Sequence, residues 1–339
     1  MTKAKEPRVP DRATEKRLEE LRAEAALHGS VEGKGIHPAG APMPAPMSST
    51  GATPENGYYG LPLLKAPVWT WEVPTYFFVG GTAGASAVLA LAAQLTGADE
   101  KLVRDARWIA CIGANLSAPL LIADLGRPER FLNMMRIFKP QSPMSVGAWI
   151  VAFFGASAST AALFRTRAKP LGNVAAAAAA LSGLGMATYT GVLLGATAIP
   201  VWQKHVKTLP MHFGASGLAS AASVLQLRGH DEPALNALAF LAAAFETYTG
   251  LQIEGDATVA SEPLRSGATG ITTRIGGLFS GPIPLLLRLA GAKSKRARRA
   301  AAFSSLLGSL ITRIAWVEAG KASARDPRVP LDLPGAKSR

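Results

Sequence analysis

Residues 74–96 read PTYFFVGGTAGASAVLALAAQLT, an uncharged and largely apolar stretch that is long enough to cross a lipid bilayer as one α-helix. Similar runs recur along the chain, and short polar or charged segments separate them. They predict about eight transmembrane helices, at residues 74–96, 103–124, 145–164, 173–195, 210–228, 234–254, 274–291 and 299–318. The seventh run contains Pro282 and Pro284, so we expect it to be kinked or tilted. The fold class is an all-α integral membrane protein.

The distribution of charge and the small number of cysteine and histidine residues exclude some classes of function. The 339 residues carry a formal net charge of +13, but the Lys and Arg residues lie mainly between the apolar runs, as in membrane loops. This distribution argues against a nucleic-acid-binding protein. Cys111 is the single cysteine, and of the five histidines only His212 enters a predicted span. We therefore expect neither a haem nor an iron–sulfur cluster in this chain, and any such centre would belong to a partner subunit.

We predict three parts in the chain. Residues 1–56 form a flexible charged tail rich in Pro and Gly, residues 57–320 a polytopic membrane domain, and residues 321–339 a polar C-terminal tail. The eight helices can divide into two four-helix bundles, and many of them are rich in Gly, Ala and Ser, which let neighbouring helices approach closely.

The basic residues of the loops indicate the orientation. The loops around residues 101–107, 165–169, 228 and 293–299 together contain more Lys and Arg than the loops on the other side. Since positive loops stay in the cytoplasm, we expect both termini on the outer face of the cell inner (cytoplasmic) membrane.

Two polar stretches at helix ends carry the first candidate site residues. Trp71 suits the membrane–water interface, and Glu72 at the mouth of the first span indicates a proton route, a polar partner or a water-facing site. Asp124 ends the second span and is followed by Arg127 and Arg130. Glu72 can equally be an ordinary interfacial glutamate, and the Asp124 loop can equally be a salt-bridged turn between helices two and three.

Further polar residues lie inside the later spans. Glu246 in the sixth span is a secondary candidate for a proton or ion path, the alternative being a hydrogen-bonded packing role. Arg313 and Glu318 are expected to pair with each other or with neighbouring helices. His212 can titrate near neutral pH. Before the third span, Pro140 and Pro143 bar a regular helix, and we expect Ser145 to cap the helix that follows.

Three stretches together carry a resemblance to a known family. YYGLPLLKAPVWTWEVPTYFFVGG (58–81), DLGRPERFLNMMRIFKPQSPMSVGAW (124–149) and YTGVLLGATAIPVW (189–202) resemble the polysulfide reductase membrane subunits of the NrfD/PsrC type, in the family's order. The resemblance implies an eight-helix subunit that exchanges electrons between a quinone pool, menaquinone or ubiquinone, and an iron–sulfur (ferredoxin-like) subunit. That subunit usually links to a molybdopterin-type catalytic subunit.

The resemblance also implies a quinone pocket among helices one to four. Tyr189 falls on a tyrosine that contacts quinone in the family, Tyr76 falls where some members have histidine, and Val73 falls where some have asparagine. Glu72 and Asp124 are candidates to replace the polar side chains that some family members have at positions 73 and 76. The resulting hypothesis assigns catalysis to Glu72 and Asp124, and cofactor binding to Tyr76, Tyr189, Trp71, Arg127 and Arg130.

Two other classes of function stay open on the sequence. The chain could be an ion or proton transporter without redox partners, using Glu246 and Asp124. It could also be a purely structural membrane anchor that docks an enzyme and binds no quinone. The absence of metal ligands fits all three classes, whereas the order of the family motifs favours the quinone-reactive subunit.

Overall fold

The computed structural model describes residues 64–125, 129, 131–291 and 294–326. The predicted tail 1–56, the pair Arg127 and Arg130, and residues 327–339 lie outside this part. Within it the chain forms helices and no strand. The longer helices are α1 (Glu72–Leu95), α2 (Glu100–Ala123), α3 (Pro143–Leu163), α4 (Lys169–Gly195), α5 (Thr208–Leu227), α6 (Pro233–Gly255), α7 (Gly267–Ser280), α8 (Pro282–Ala290) and α9 (Lys295–Arg325). Short helical turns lie at Phe131–Met134, Pro200–Lys204, Val259–Ser261 and Glu262–Arg265.

Five of these helices are long and apolar enough to cross a membrane, judged by length and composition: α1, α2, α3, α4 and α9. Helices α5 and α6 lie where the fifth and sixth spans are predicted but fall outside this group. Polar side chains such as Ser216, Glu246 and Gln252 lower their apolar character. The described part of the chain is thus all-helical with membrane-spanning helices, and the count of eight stays a prediction.

The seventh predicted span is interrupted completely. Helix α7 ends at Ser280, Gly281 follows, and α8 begins at Pro282. Proline has no N–H to donate and fits the first position of a helix, so the chain restarts there instead of continuing. The expected kink is therefore a break, and α7 begins at Gly267, ahead of the predicted span.

The long helices pack as two groups. In the first bundle, α1 contacts α2 and α4, and α3 contacts the same two helices. In the second bundle, α9 contacts α5, α7 and α8, while α6 packs against α5 and α8. Helix α5 joins the groups because it also contacts α1 and α4. The division into two four-helix bundles stays a prediction, and its seventh member is in two pieces.

Glycines bring the helix backbones into direct contact. A Cβ added to Gly183 on α4 would lie 2.6 Å from the carbonyl oxygen of Gly84 on α1. A Cβ added to Gly217 on α5 would lie 2.8 Å from the carbonyl oxygen of Gly81. No side chain fits at either crossing, which confirms that small residues serve close helix packing here.

The outward faces of the helices are apolar. Ile112 on α2, Phe153 on α3 and Leu181 on α4 expose more than half of their surface. In water such faces would be unfavourable, whereas in a bilayer they meet lipid chains.

The start of α3 differs from the expected cap. Ser142 is the N-cap, and its hydroxyl accepts a hydrogen bond from the Ser145 N–H at 3.4 Å. Pro143 takes the first helical position, where no donor is needed. The Ser145 hydroxyl accepts from the Lys139 N–H at 3.1 Å instead. The prediction of Ser145 as the cap is wrong, because the proline begins the helix and does not exclude it.

Candidate functional site

Two predicted catalytic carboxyl groups lie together at the end of the first bundle where α1 begins and α2 ends, which we call the mouth of the first bundle. Thr70 links them. Its N–H donates to Oδ1 of Asp124 at 3.4 Å, and its hydroxyl donates to Oε2 of Glu72. The structure therefore brings Glu72 and Asp124 to one place although 51 positions separate them in the sequence.

The last helix adds a positive charge to the mouth. Lys321, near the end of α9, pairs with Glu318 at 2.7 Å and also acts electrostatically on Asp124. Burial raises the pKa of Asp124 above its ordinary value, and the nearby charge of Glu72 raises it further. The hydrogen bond from the Thr70 N–H and the charge of Lys321 lower this pKa, but the net shift is upward. Asp124 consequently binds a proton more readily than an ordinary aspartate, which suits a proton acceptor.

The two predicted quinone-binding tyrosines also lie at this end. Tyr76 is buried one turn into α1, with its ring centroid 5.6 Å from that of Phe77, and it lies near Tyr189. The Tyr189 hydroxyl donates to the carbonyl oxygen of Pro143. A Cβ added to Gly147 would lie 2.9 Å from Cε1 of Tyr189. The start of α3 thus fixes the Tyr189 ring by a hydrogen bond and by the absence of a side chain at Gly147.

Among the tryptophans of the mouth, Trp69 is packed and Trp71 is not. Trp71 is 66% exposed, whereas the Trp69 ring stacks on the fully buried Trp202 with centroids 5.3 Å apart. Trp202 donates its indole N–H to the carbonyl oxygen of Trp316 on α9 at 2.8 Å. Sequence reasoning placed Trp71 in the site and missed Trp69. The signal available was that Trp69 and Trp202 lie in two of the three family-like stretches.

The remaining predicted site residues, Arg127 and Arg130, lie outside the described residues. Their expected pairing with Asp124 and their expected role in binding a cofactor therefore stay predictions.

A second group of polar residues surrounds a cavity of about 340 Å³, which we call the second-bundle cavity. Its lining comes from α5 to α9 and includes His212, Glu246, Gly250, Leu278, Thr312 and Trp316. Nδ1 of His212 lies 2.9 Å from Oγ1 of Thr249. The structure does not bring Glu246 into contact with the mouth of the first bundle, so the two groups are separate.

Arg313 is fully buried between the bundles. It donates to the hydroxyl of Ser216 at 2.9 Å and to the carbonyl oxygen of Phe213 at 3.3 Å, and it also interacts electrostatically with Glu246. Glu318 pairs with Lys321 and not with Arg313. Of the two expectations for these residues, pairing with each other is therefore wrong and contact of Arg313 with a neighbouring helix is confirmed. The sequence does not show that serine hydroxyl groups and backbone carbonyl groups accept the hydrogen bonds of Arg313.

Two charged residues at the opposite end of the molecule are buried, and one of them, Arg107, is among the basic residues that predict the orientation. Arg107 is 3% exposed and donates to the carbonyl oxygen of Ala161 at 3.1 Å. Asp105, equally buried, lies 3.1 Å from Nε2 of His230 and accepts from Nε of Arg228 at 3.2 Å. Arg107 and Asp105 lie within α2, so they fasten helices to each other, and Arg107 does not count toward the positive charge of a loop.

A comparison with protein families identifies the chain. The family model described as polysulfide reductase, of the NrfD type, matches residues 55–325. The chain belongs to this family. Membership confirms the resemblance of the three sequence stretches and makes the chain a membrane subunit of an oxidoreductase complex. No curated protein matches it.

The matched range of this polysulfide reductase family member contains all nine longer helices. It therefore includes both the mouth of the first bundle and the second-bundle cavity.

Proposed function

We propose that this polysulfide reductase family member spans the membrane eight times and binds a quinol at the mouth of the first bundle. It would pass the electrons to an iron–sulfur partner subunit and through it to a molybdopterin-type subunit. The observation that carries the proposal is that Glu72, Asp124, Tyr76 and Tyr189 gather at one end of a four-helix group in a member of this family.

The chemistry of a quinol matches these side chains. A quinol supplies two electrons and two protons when it is oxidised, so its hydroxyl groups need hydrogen-bond acceptors and a base. Because Tyr189 already donates its hydrogen to Pro143, its oxygen is left as an acceptor for a quinol hydroxyl. Asp124, with its raised pKa, can take up the released proton, and Glu72 lies beside it through Thr70.

The surface around the mouth supports contact with a partner at this end. The segment that joins α2 to α3 exposes large apolar side chains, with Leu132 73%, Ile137 64% and Phe138 53% exposed. Val68 and Trp71 are exposed just before and at the start of α1. Electrons must leave toward a neighbour, and a site beneath such a surface keeps the transfer distance short. We place this end, with both termini, on the outer face of the inner membrane.

The test uses the assembled complex with single substitutions. Tyr189→Phe and Tyr76→Phe should each lower quinone-dependent turnover about tenfold, since the loss of one hydrogen bond in the site is worth roughly 1–2 kcal/mol. Dye-linked activity of the partner subunits should be unchanged. Tyr248→Phe is the matched control, because Tyr248 is exposed on α6 and donates to no residue of the mouth.

Unchanged quinone turnover in both tyrosine variants would remove the assignment of the mouth as the quinol site. A complex that assembles with the chain but shows no quinone reaction would instead favour the structural anchor.

A further inference from the structure

The second-bundle cavity reaches the surface of the protein beside α6 and α7. Its lining includes Leu251 and Leu278, which are 69% and 50% exposed, and the apolar residues Ile253, Pro282 and Trp316. The exposed ion pair of Glu254 and Arg274 also lines the cavity, so a molecule that enters between α6 and α7 meets both apolar and charged side chains. A volume of about 340 Å³ is within the range of small-molecule sites in proteins.

The inner end of the cavity carries polar atoms that are buried and have no hydrogen-bond partner. They are Nε2 of His212, both carboxyl oxygens of Glu246 and Oγ1 of Thr312. Ser216 and Arg313 lie near the Glu246 carboxyl group, and the Ser216 hydroxyl is bonded to Ser309 at 2.8 Å and to Arg313 at 2.9 Å. An unpartnered buried polar group destabilises a folded protein, so a set of them in one cavity points to a ligand that supplies the missing bonds.

The hydrogen bonds around His212 determine what this ligand must offer. The Thr249 hydroxyl lies 3.0 Å and 3.1 Å from the carbonyl oxygens of Phe245 and Glu246, to which its single hydrogen can donate. With the hydrogen assigned to these carbonyl groups, the Thr249 oxygen accepts from Nδ1–H of His212, at 2.9 Å. Nε2 is then the deprotonated nitrogen of a neutral imidazole and can only accept. The Glu246 carboxyl group adds at least one further acceptor oxygen, so the ligand has to donate.

We propose that the second-bundle cavity is a second binding site, which takes a lipid-soluble ring carrying hydroxyl groups, of the quinol class. One hydroxyl donates to Nε2 of His212 and another to Glu246, while the ring lies against Trp316 and the apolar walls. The choice of a quinol among hydroxyl-bearing rings rests on the proposed function. The site itself is separate from the mouth of the first bundle and uses none of its residues.

A neighbouring cavity of about 180 Å³ adjoins the site. It shares His212, Ile253 and Trp316 with the second-bundle cavity and reaches His205 and Asp256 at the end of α6. The hydroxyl group that donates to His212 is thus close to the polar residues His205 and Asp256, while the apolar part of the ligand faces the opening of the second-bundle cavity.

The experiment measures binding and does not depend on turnover. The full chain is placed in lipid nanodiscs, and a radiolabelled short-tailed ubiquinol, kept reduced under nitrogen, is titrated by equilibrium dialysis. We expect two molecules bound per chain. Gly250→Leu should remove one of them, because Gly250 lines the cavity and a side chain added there meets open space. Gly155→Leu on α3 is the matched control, since it too meets open space but lies away from the cavity.

Three further measurements complete the test. Leu278→Trp fills the cavity from the α7 side and should also remove one bound molecule, so it replaces Gly250→Leu if that variant does not fold. Thermal unfolding of each variant verifies that it is folded. The oxidised quinone, which has no hydroxyl to donate, should bind at least tenfold more weakly at this site. Tyr189→Phe should not change quinol binding in the second-bundle cavity, so loss of the mouth site and loss of the cavity site are distinguishable.

Equal binding by wild type, Gly250→Leu and Leu278→Trp would overturn the proposal. Equal affinity for quinone and quinol at the site emptied by these variants would overturn the assigned roles of His212 and Glu246. A single molecule bound in wild type, and lost in Gly250→Leu, would support the second site and contradict the mouth as a quinol site.

Discussion

Thr70 shows how one residue can organise a pair of carboxyl groups at the mouth of the first bundle. Its N–H and hydroxyl point to different acids, Asp124 and Glu72, and so hold both at a place where their charges repel. The repulsion and the partial burial favour a bound proton on Asp124, which is useful for a group that must take protons from a ligand.

Asp124→Asn tests this protonation through stability. Because the pKa of Asp124 is raised, the folded protein binds the proton more tightly than the unfolded chain, and wild-type stability should fall as pH rises through that raised pKa. The asparagine variant has no proton to lose, so its melting temperature should lack this fall. Thermal unfolding in detergent, measured across the acidic range, checks it, and identical pH profiles for the two proteins would contradict the raised pKa.

The same substitution separates a chemical role from a structural one. If Asp124 accepts protons, Asp124→Asn should slow quinone-dependent turnover in a complex that still assembles at normal yield. If Asp124 only fixes the turn after α2, the yield of assembled complex should fall while the turnover per complex stays the same. Quantifying the subunits that co-purify, together with turnover, distinguishes the two results.

At the scale of helices, contact between backbones decides which helix lies beside which. Helix α1 meets α4 at Gly84 and Gly183, and it meets α5 at Gly81 and Gly217. The contact of Gly81 with Gly217 brings a long apolar helix of the first bundle against a helix of the second. Since lipid chains are as apolar as the helix surfaces, close packing of this kind replaces the hydrophobic effect as the source of association.

Gly183→Ala should therefore be destabilising. The added Cβ would lie 2.6 Å from the Gly84 carbonyl oxygen, so α1 and α4 must separate, at a cost of about 1–3 kcal/mol. Gly155→Ala on α3 meets open space and should be neutral or slightly stabilising, because alanine favours helix. Thermal or denaturant unfolding in detergent measures both, and equal stability of the two variants would contradict the role of the crossing.

At the scale of the whole molecule, Arg313 connects the two bundles. Its guanidinium group lies 5.2 Å from the ring centroid of Phe213 on α5 and 6.0 Å from that of Phe78 on α1. It also lies near Glu246, which lines the second-bundle cavity. The Arg313 guanidinium group is hydrogen-bonded within the second bundle and lies over one ring of the first bundle, so it provides a physical link between the first bundle and the cavity.

Arg313→Met should loosen this junction. The substitution removes hydrogen bonds to Ser216 and to the Phe213 carbonyl oxygen and leaves the Glu246 carboxyl group without its positive neighbour, which should cost about 3 kcal/mol. Arg274→Met is the control, because Arg274 forms an exposed pair with Glu254 and its loss should change stability little. Unfolding in detergent provides the comparison, and a stable Arg313→Met protein would contradict the linking role.

The sequence by itself determined that the chain is helical, which family it belongs to, and where most long helices lie. Apolar length and motif order are properties of consecutive residues, so they can be read without knowing which helices touch. They also placed Tyr76, Tyr189, Glu72 and Asp124 at helix ends that a bundle of alternating helices brings together.

Only the tertiary structure decided the partners of the polar side chains. The link through Thr70, the stacking of Trp69 on Trp202, the burial of Arg107 and the second-bundle cavity all join residues that are far apart in the chain. The physical reason is that hydropathy depends on neighbours along the chain, whereas a buried polar atom must find its partner on whichever helix packs across from it.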